Sequence, residues 1–183
     1  MSGTIQAFES SRQKTNLWLK HVAAELRSDD RRKAYVALRT VLHLLRDCLP
    51  VEETAKFAAQ MPLLLQGVLF EGWKPRRKPE RLTRQAFFER VRASTRNQPG
   101  LDAALVTRAV LVTLGRHLSA GEIEAVRRVL PHEVRELWFE LGHHRPAEGG
   151  VEAPAPREEH GEPMARDAFR AYEPGSHGTP AWP

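Results

Sequence analysis

The chain of 183 residues carries 28 Lys and Arg against 23 Asp and Glu, a formal net charge of +5, with 41% hydrophobic residues and one cysteine. That length fits one ordinary domain or two small ones, and a lone Cys48 excludes a disulfide framework. The most apolar stretch, Met61–Phe70, is broken by Pro62, Gln66 and Gly67 and falls short of the roughly 20 apolar residues that span a membrane. The opening MSGTIQAFESS lacks the basic flank and apolar run of a secretory signal. A protein of a reducing compartment, the cytoplasm, with no membrane contact, is expected.

In chain order, the first predicted helix, 16–27, opens on Trp18. The second, 32–49, carries Ala34, Leu38, Val41, Leu42, Leu45 and Leu49 on one face at helical spacing. A third, 51–60, follows Pro50, with Glu53 as its capping carboxylate. Pro62 breaks the line and opens a fourth, 62–71, because proline lacks an N–H and disfavours helix in the residue before it. After residues 72–83 come 84–95, with Phe87 and Phe88, and 102–118, with Val106, Val110, Leu111, Leu114 and Leu118 on one face. Ser119 and Glu122 then have capping-box spacing ahead of a helix at 120–129. Pro131 opens the last, 131–141. Period-two alternation is nowhere evident, so no sheet is expected.

Shifted by 69 positions, Leu17–Phe70 matches Ala86–Phe139 without a gap. Identical pairs include Val22/Val91, Ala34/Ala103, Arg39/Arg108, Val41/Val110, Leu42/Leu111, Leu45/Leu114, Glu53/Glu122 and Pro62/Pro131, and the agreement falls on apolar positions. The fold class that follows is all-α: two tandem similar four-helix units, 16–71 and 84–141, joined by the linker 72–83 and packed into one helical domain, 1–141. A unit of this size is marginal alone, so the copies are expected to close on each other about an approximate twofold axis, with Trp18, Trp138, Phe87 and Phe88 as core anchors. A short open array is the alternative.

Residues 1–141 hold 24 basic and 16 acidic side chains; residues 142–183 hold four and seven, with seven Pro and six Gly. That composition predicts a disordered, acidic C-terminal tail.

The run from Arg39 through Val41-Leu42 and Leu45 to Leu49, followed by a short acidic-capped helix ending in Met61-Pro62, recurs as Arg108, Val110-Leu111, Leu114 and Leu118 followed by Leu130-Pro131. This pattern resembles the bacterial helical family catalogued as domain of unknown function 2267, over roughly 7–141. The resemblance implies an all-helical fold. It offers no catalytic residue to carry over.

Candidate chemistry is sparse. Lys74, Arg76, Arg77, Lys78, Arg81 and Arg84 form a basic linker that can contact nucleic-acid phosphates or an acidic partner, or simply be a solvated, proline-stiffened connection. Arg39 and Arg108, equivalent in the two copies, can flank one anion as an inter-repeat polar site or tie each helix to a carboxylate. Met164, Phe169 and Tyr172 in the tail can form a short docking stripe. The histidines read as surface or capping groups, Cys48 as a small buried thiol, and no metal, cofactor or catalytic residue is assigned. The leading expectation is a non-catalytic protein-interaction or regulatory module with a protein partner or self-association. Nucleic-acid binding through the linker is the alternative. An enzyme with a site between the repeats comes third, since no acid–base constellation appears.

Overall fold

The computed structural model describes residues 5–75 and 78–142. Among these the chain is all-helical, with no strand: α1 (Gln6–Glu25), α2 (Arg31–Asp47), α3 (Val51–Ala59), α4 (Leu63–Phe70), α5 (Arg84–Thr95), α6 (Ala103–His117), α7 (Ala120–Val129) and α8 (His132–Leu141). All eight fall within one of the chain's two units, Met1–Pro146; the other, Ala147–Pro183, lies outside the described residues.

Helix starts follow local chemistry. Asp30 Oδ1 accepts from the N–H groups of Arg32 and Lys33 at 2.8 and 3.3 Å, and Asp102 Oδ1 from those of Ala104 and Leu105 at 2.8 and 3.1 Å, so α2 and α6 have the same carboxylate cap. The Ser119–Glu122 capping box forms at α7. Pro50, Pro62 and Pro131 precede α3, α4 and α8. Glu53 departs from expectation and pairs with Lys56 at 2.8 Å. A capping-box carboxylate reaches back to the N–H of the N-cap residue, and Pro50 has none to offer.

α1 starts ten residues earlier than its apolar periodicity suggested. Glu9 accepts from both Arg12 and Gln13, and Ser11 is buried against the start of α4. α1 ends with Arg27 at φ 52, and the N–H of Ser28 returns to the carbonyl of Ala23 at 3.0 Å. This is a Schellman-type stop whose left-handed position is usually glycine. α4 ends on a buried arginine: Arg46 Nη1 donates to the carbonyls of Leu69 at 2.6 Å and Glu71 at 3.2 Å, and its Nε holds Asp47 at 2.9 Å. Those carbonyls would otherwise lack a donor.

α1 packs on α2, α4 and α6. In the second half, α5 packs on α6, α8 and α2. The two long helices α2 and α6 meet each other, as do the short α3 and α7. Burial follows the 69-residue spacing: Val22 and Val91, Leu42 and Leu111, Leu45 and Leu114, and Leu65 and Val134 are all essentially sealed from solvent. Trp18, Trp138 and Phe87 belong to one hydrophobic core, with Phe88 partly buried against it. Each fully buried aliphatic side chain contributes about 1.5–3 kcal/mol, which makes this shared core the main holding force.

Candidate functional site

Of the linker cations, Lys74, Lys78 and Arg81 are exposed. Arg84 is not free for a ligand: its guanidinium pairs with Glu140 and its N–H donates to Glu133 at 2.8 Å. Glu80 in the same segment pairs with Arg90. Carboxylates of α8 and of the linker itself therefore stand among these cations and reduce their pull on an external anion. Arg76 and Arg77, like the tail residues Met164, Phe169 and Tyr172, lie outside the described residues.

Arg39 donates to Glu71 at 2.6 Å, within the first half. Arg108 donates to Glu25 of α1 at 3.0 Å, across the halves, and Arg116 holds the other oxygen of Glu25 at 2.7 Å. The two pseudo-equivalent arginines thus grip different carboxylates.

The α1–α6 seam holds a cluster that the sequence did not reveal. His21 Nδ1 lies 2.8 Å from His117 Nε2, and the His117 ring stacks on Trp18 with centroids 4.4 Å apart. Trp18, His21 and Glu25 share one face of α1 by their spacing. A hydrogen bond between two imidazoles needs one N–H and one bare nitrogen, so the doubly protonated pair is disfavoured. Burial, aided by the charges of His21 and Arg116, holds His117 down to about 4. Burial also lowers His21, reinforced by Arg116 and Lys20 and opposed by Glu25. At neutral pH both rings are uncharged. Beside them lies an open cavity of about 440 Å³ lined by Lys14, Leu17, Trp18, Met61, Pro62 and His117. Half-buried His43, whose Nε2 is 2.7 Å from the carbonyl of Val68, is likewise lowered, mainly by burial. These three histidines link helices, where the sequence suggested surface or capping groups. The nearest signal was their placement on helices rich in apolar residues; their partners are set only by the fold.

Nucleophilic chemistry finds little support. Cys48 is buried and its thiol is pushed up to about 12, chiefly by burial, so it is protonated and unreactive at neutral pH. Among the described residues no three His, Cys, Asp or Glu side chains are grouped to hold a metal ion, and no helix is long and apolar enough to cross a membrane.

The most distinctive surface is apolar. α4 reads LLLQGVLF and has no charged residue; only Leu65 and Leu69 are buried, while Leu63 is 51% and Leu64 49% exposed. The N–H of Leu64 donates to Ser11 Oγ of α1 at 3.0 Å, and α1 begins with Ile5 at its N-cap, 60% exposed, and Phe8, 56% exposed. Two exposed apolar pairs are thereby brought to one end of the bundle. At the matching places 69 residues on, α8 has His132 and Glu133 for Leu63 and Leu64, and Arg135 and Glu136 for Gln66 and Gly67. α8 thus has the polar outer face of a surface helix, and α4 does not.

The family described as "Uncharacterized conserved protein (DUF2267)" matches residues 15–137, most of the helical region. No curated protein matches the chain.

Proposed function

The chain belongs to the DUF2267 family, and from that premise we propose that it is a cytoplasmic, non-catalytic protein-interaction module built of two similar four-helix units, which associates with a second copy of itself through the apolar face of α1 and α4. The observation that carries this is the exposure of Leu63 and Leu64 on an uncharged helix that packs on α1, whose start carries the exposed Ile5 and Phe8. A helix that is apolar all round is normally covered on all sides, and contiguous exposed apolar patches mark interaction sites. α4 brings no charge to such a contact, which lowers the desolvation cost of association. The paired pattern of helix contacts and the burial repeat at 69 residues support the two-unit reading.

Site-directed cross-linking tests it. Cys48 is sealed in the core, so a cysteine introduced by Leu63→Cys is the accessible thiol, and a short bis-maleimide is expected to give a covalent dimer. A control at the far end of the bundle, Ser94→Cys, should not. Failure of Leu63→Cys to cross-link, together with recovery of no partner on that face, would end the proposal.

A further inference from the structure

We propose that the end of the bundle formed by the α1–α2 and α5–α6 loops is a contact surface for the phosphate backbone of double-stranded nucleic acid. This surface is separate from both the apolar α1–α4 face and the linker. Lys33 Nζ donates to the carbonyl of Pro99 at 2.9 Å, which brings the two loops together. α1 runs antiparallel to α6, since Trp18 meets His117 near the end of α6 while Glu25 reaches back to Arg108. The starts of α2 and α6 therefore sit at the same end as the last turns of α1 and α5, so the helix dipoles there offset one another and the side chains set the charge of this surface.

Two features of this end are locally unfavourable, and with a third they all add positive charge. Arg31, Arg32 and Lys33 occupy the first turn of α2, which has no acidic residue, although helix N-termini favour carboxylates there. Arg27 holds a left-handed backbone at φ 52, a position that glycine fills without strain. Arg92 and Arg96, in the last turn and at the C-cap of α5, are exposed. Among the described residues none of the five arginines 27, 31, 32, 92 and 96 has a carboxylate partner, a state shared with the scattered Arg81, Arg128 and Arg135, whereas Arg12, Arg39, Arg46, Arg84, Arg90, Arg108 and Arg116 are all paired. Of the three carboxylates in these segments, Asp30 and Asp102 are occupied as helix caps, and Asp29 remains. Violations of local preference that converge on one surface are expected where function outweighs stability.

The chemistry selects the partner. Guanidinium forks match phosphate oxygens. A lipid surface would call for apolar anchors and a single strand for stacking aromatics, yet Tyr35 is the one exposed large apolar side chain in these segments. Contact with the duplex backbone, without base reading, is what remains.

The test is fluorescence anisotropy of the full chain with a labelled random-sequence duplex of about two helical turns, across a salt series. Binding should weaken steeply as salt rises. Arg31→Glu with Arg32→Glu and Arg96→Glu should lower affinity at least about tenfold at low salt. Acidic residues suit the first turn of α2, so the loss will not come from unfolding of that helix; circular dichroism of the variant checks this. Lys74→Glu with Lys78→Glu and Arg81→Glu should change affinity by no more than about twofold. Arg27→Gly should raise Tm and weaken binding together. No binding at low salt, a loss confined to the linker variant, or binding to phosphatidylserine vesicles in place of the duplex would each overturn the proposal.

Discussion

The N–H of Leu64 and the hydroxyl oxygen of Ser11, 53 residues apart in sequence, are 3.0 Å apart in the fold. Through this bond the early turns of α1 support the start of α4. Ser11 is 5% exposed, so Ser11→Ala leaves a first-turn amide of α4 without its side-chain acceptor. We expect a loss of about 1 kcal/mol in urea unfolding. Hydrogen exchange should quicken in α4 and stay unchanged in α8.

The His21–His117 pair makes stability depend on pH. Both rings are lowered in the folded state, His117 to about 4, while in the unfolded chain each returns to about 6.5. Below 6.5 the unfolded state therefore binds more protons than the folded one, and stability falls with pH. Tm should be level above pH 7, drop as pH falls through 6.5, and continue to drop toward 4. His117→Gln should flatten this part of the curve, and a curve left unchanged would contradict the assignment. His43, also lowered mainly by burial, adds a slope of the same sign that this variant leaves in place.

Glu25 bridges the halves through Arg108 and Arg116 with only 11% of its side chain exposed. Glu25→Gln should cost about 1–2 kcal/mol, because two partly buried guanidiniums lose their shared charge. Glu9→Gln, on the exposed and solvent-screened Arg12 pair, should leave the melt nearly unchanged. Parallel thermal melts of the two variants decide whether the cross-half clamp or the surface pair matters more.

Arg27 at φ 52 is strained for a side chain with a Cβ. Arg27→Gly should stabilise the protein by about 0.5–1 kcal/mol, the left-handed strain removed being partly offset by the freer unfolded chain. Arg27→Ala, which keeps the Cβ, should bring no such gain in the same denaturation experiment.

Much of the fold is legible in the sequence because its signals are local. Pro62, Pro131 and the Ser119–Glu122 pair act within a few residues of themselves, and α5 and α7 begin and end as predicted. The apolar faces of α2 and α6 repeat at 3.6-residue spacing and are buried as that spacing requires. The early start of α1 was hidden because Ser11 becomes a core contact only through Leu64. Glu53 misled because capping-box spacing says nothing about whether the N-cap residue has an N–H, and Pro50 has none. The His21–His117 contact joins residues 96 apart, so no periodicity could announce it. The apolar face of α4 was visible as Met61–Phe70, yet a run of that composition fits a buried helix equally well; only the exposure of Leu63 and Leu64 separates the two.

Sedimentation equilibrium over a range of loading concentrations tests the proposed association most directly. The 20.7 kDa chain should pass from monomer toward twice that mass as concentration rises, while the double variant Leu63→Glu with Leu64→Glu stays at the monomer mass with its helical content intact. A wild-type chain that remains at the monomer mass throughout, or a double variant that dimerises as well as the parent, would contradict association through α1 and α4.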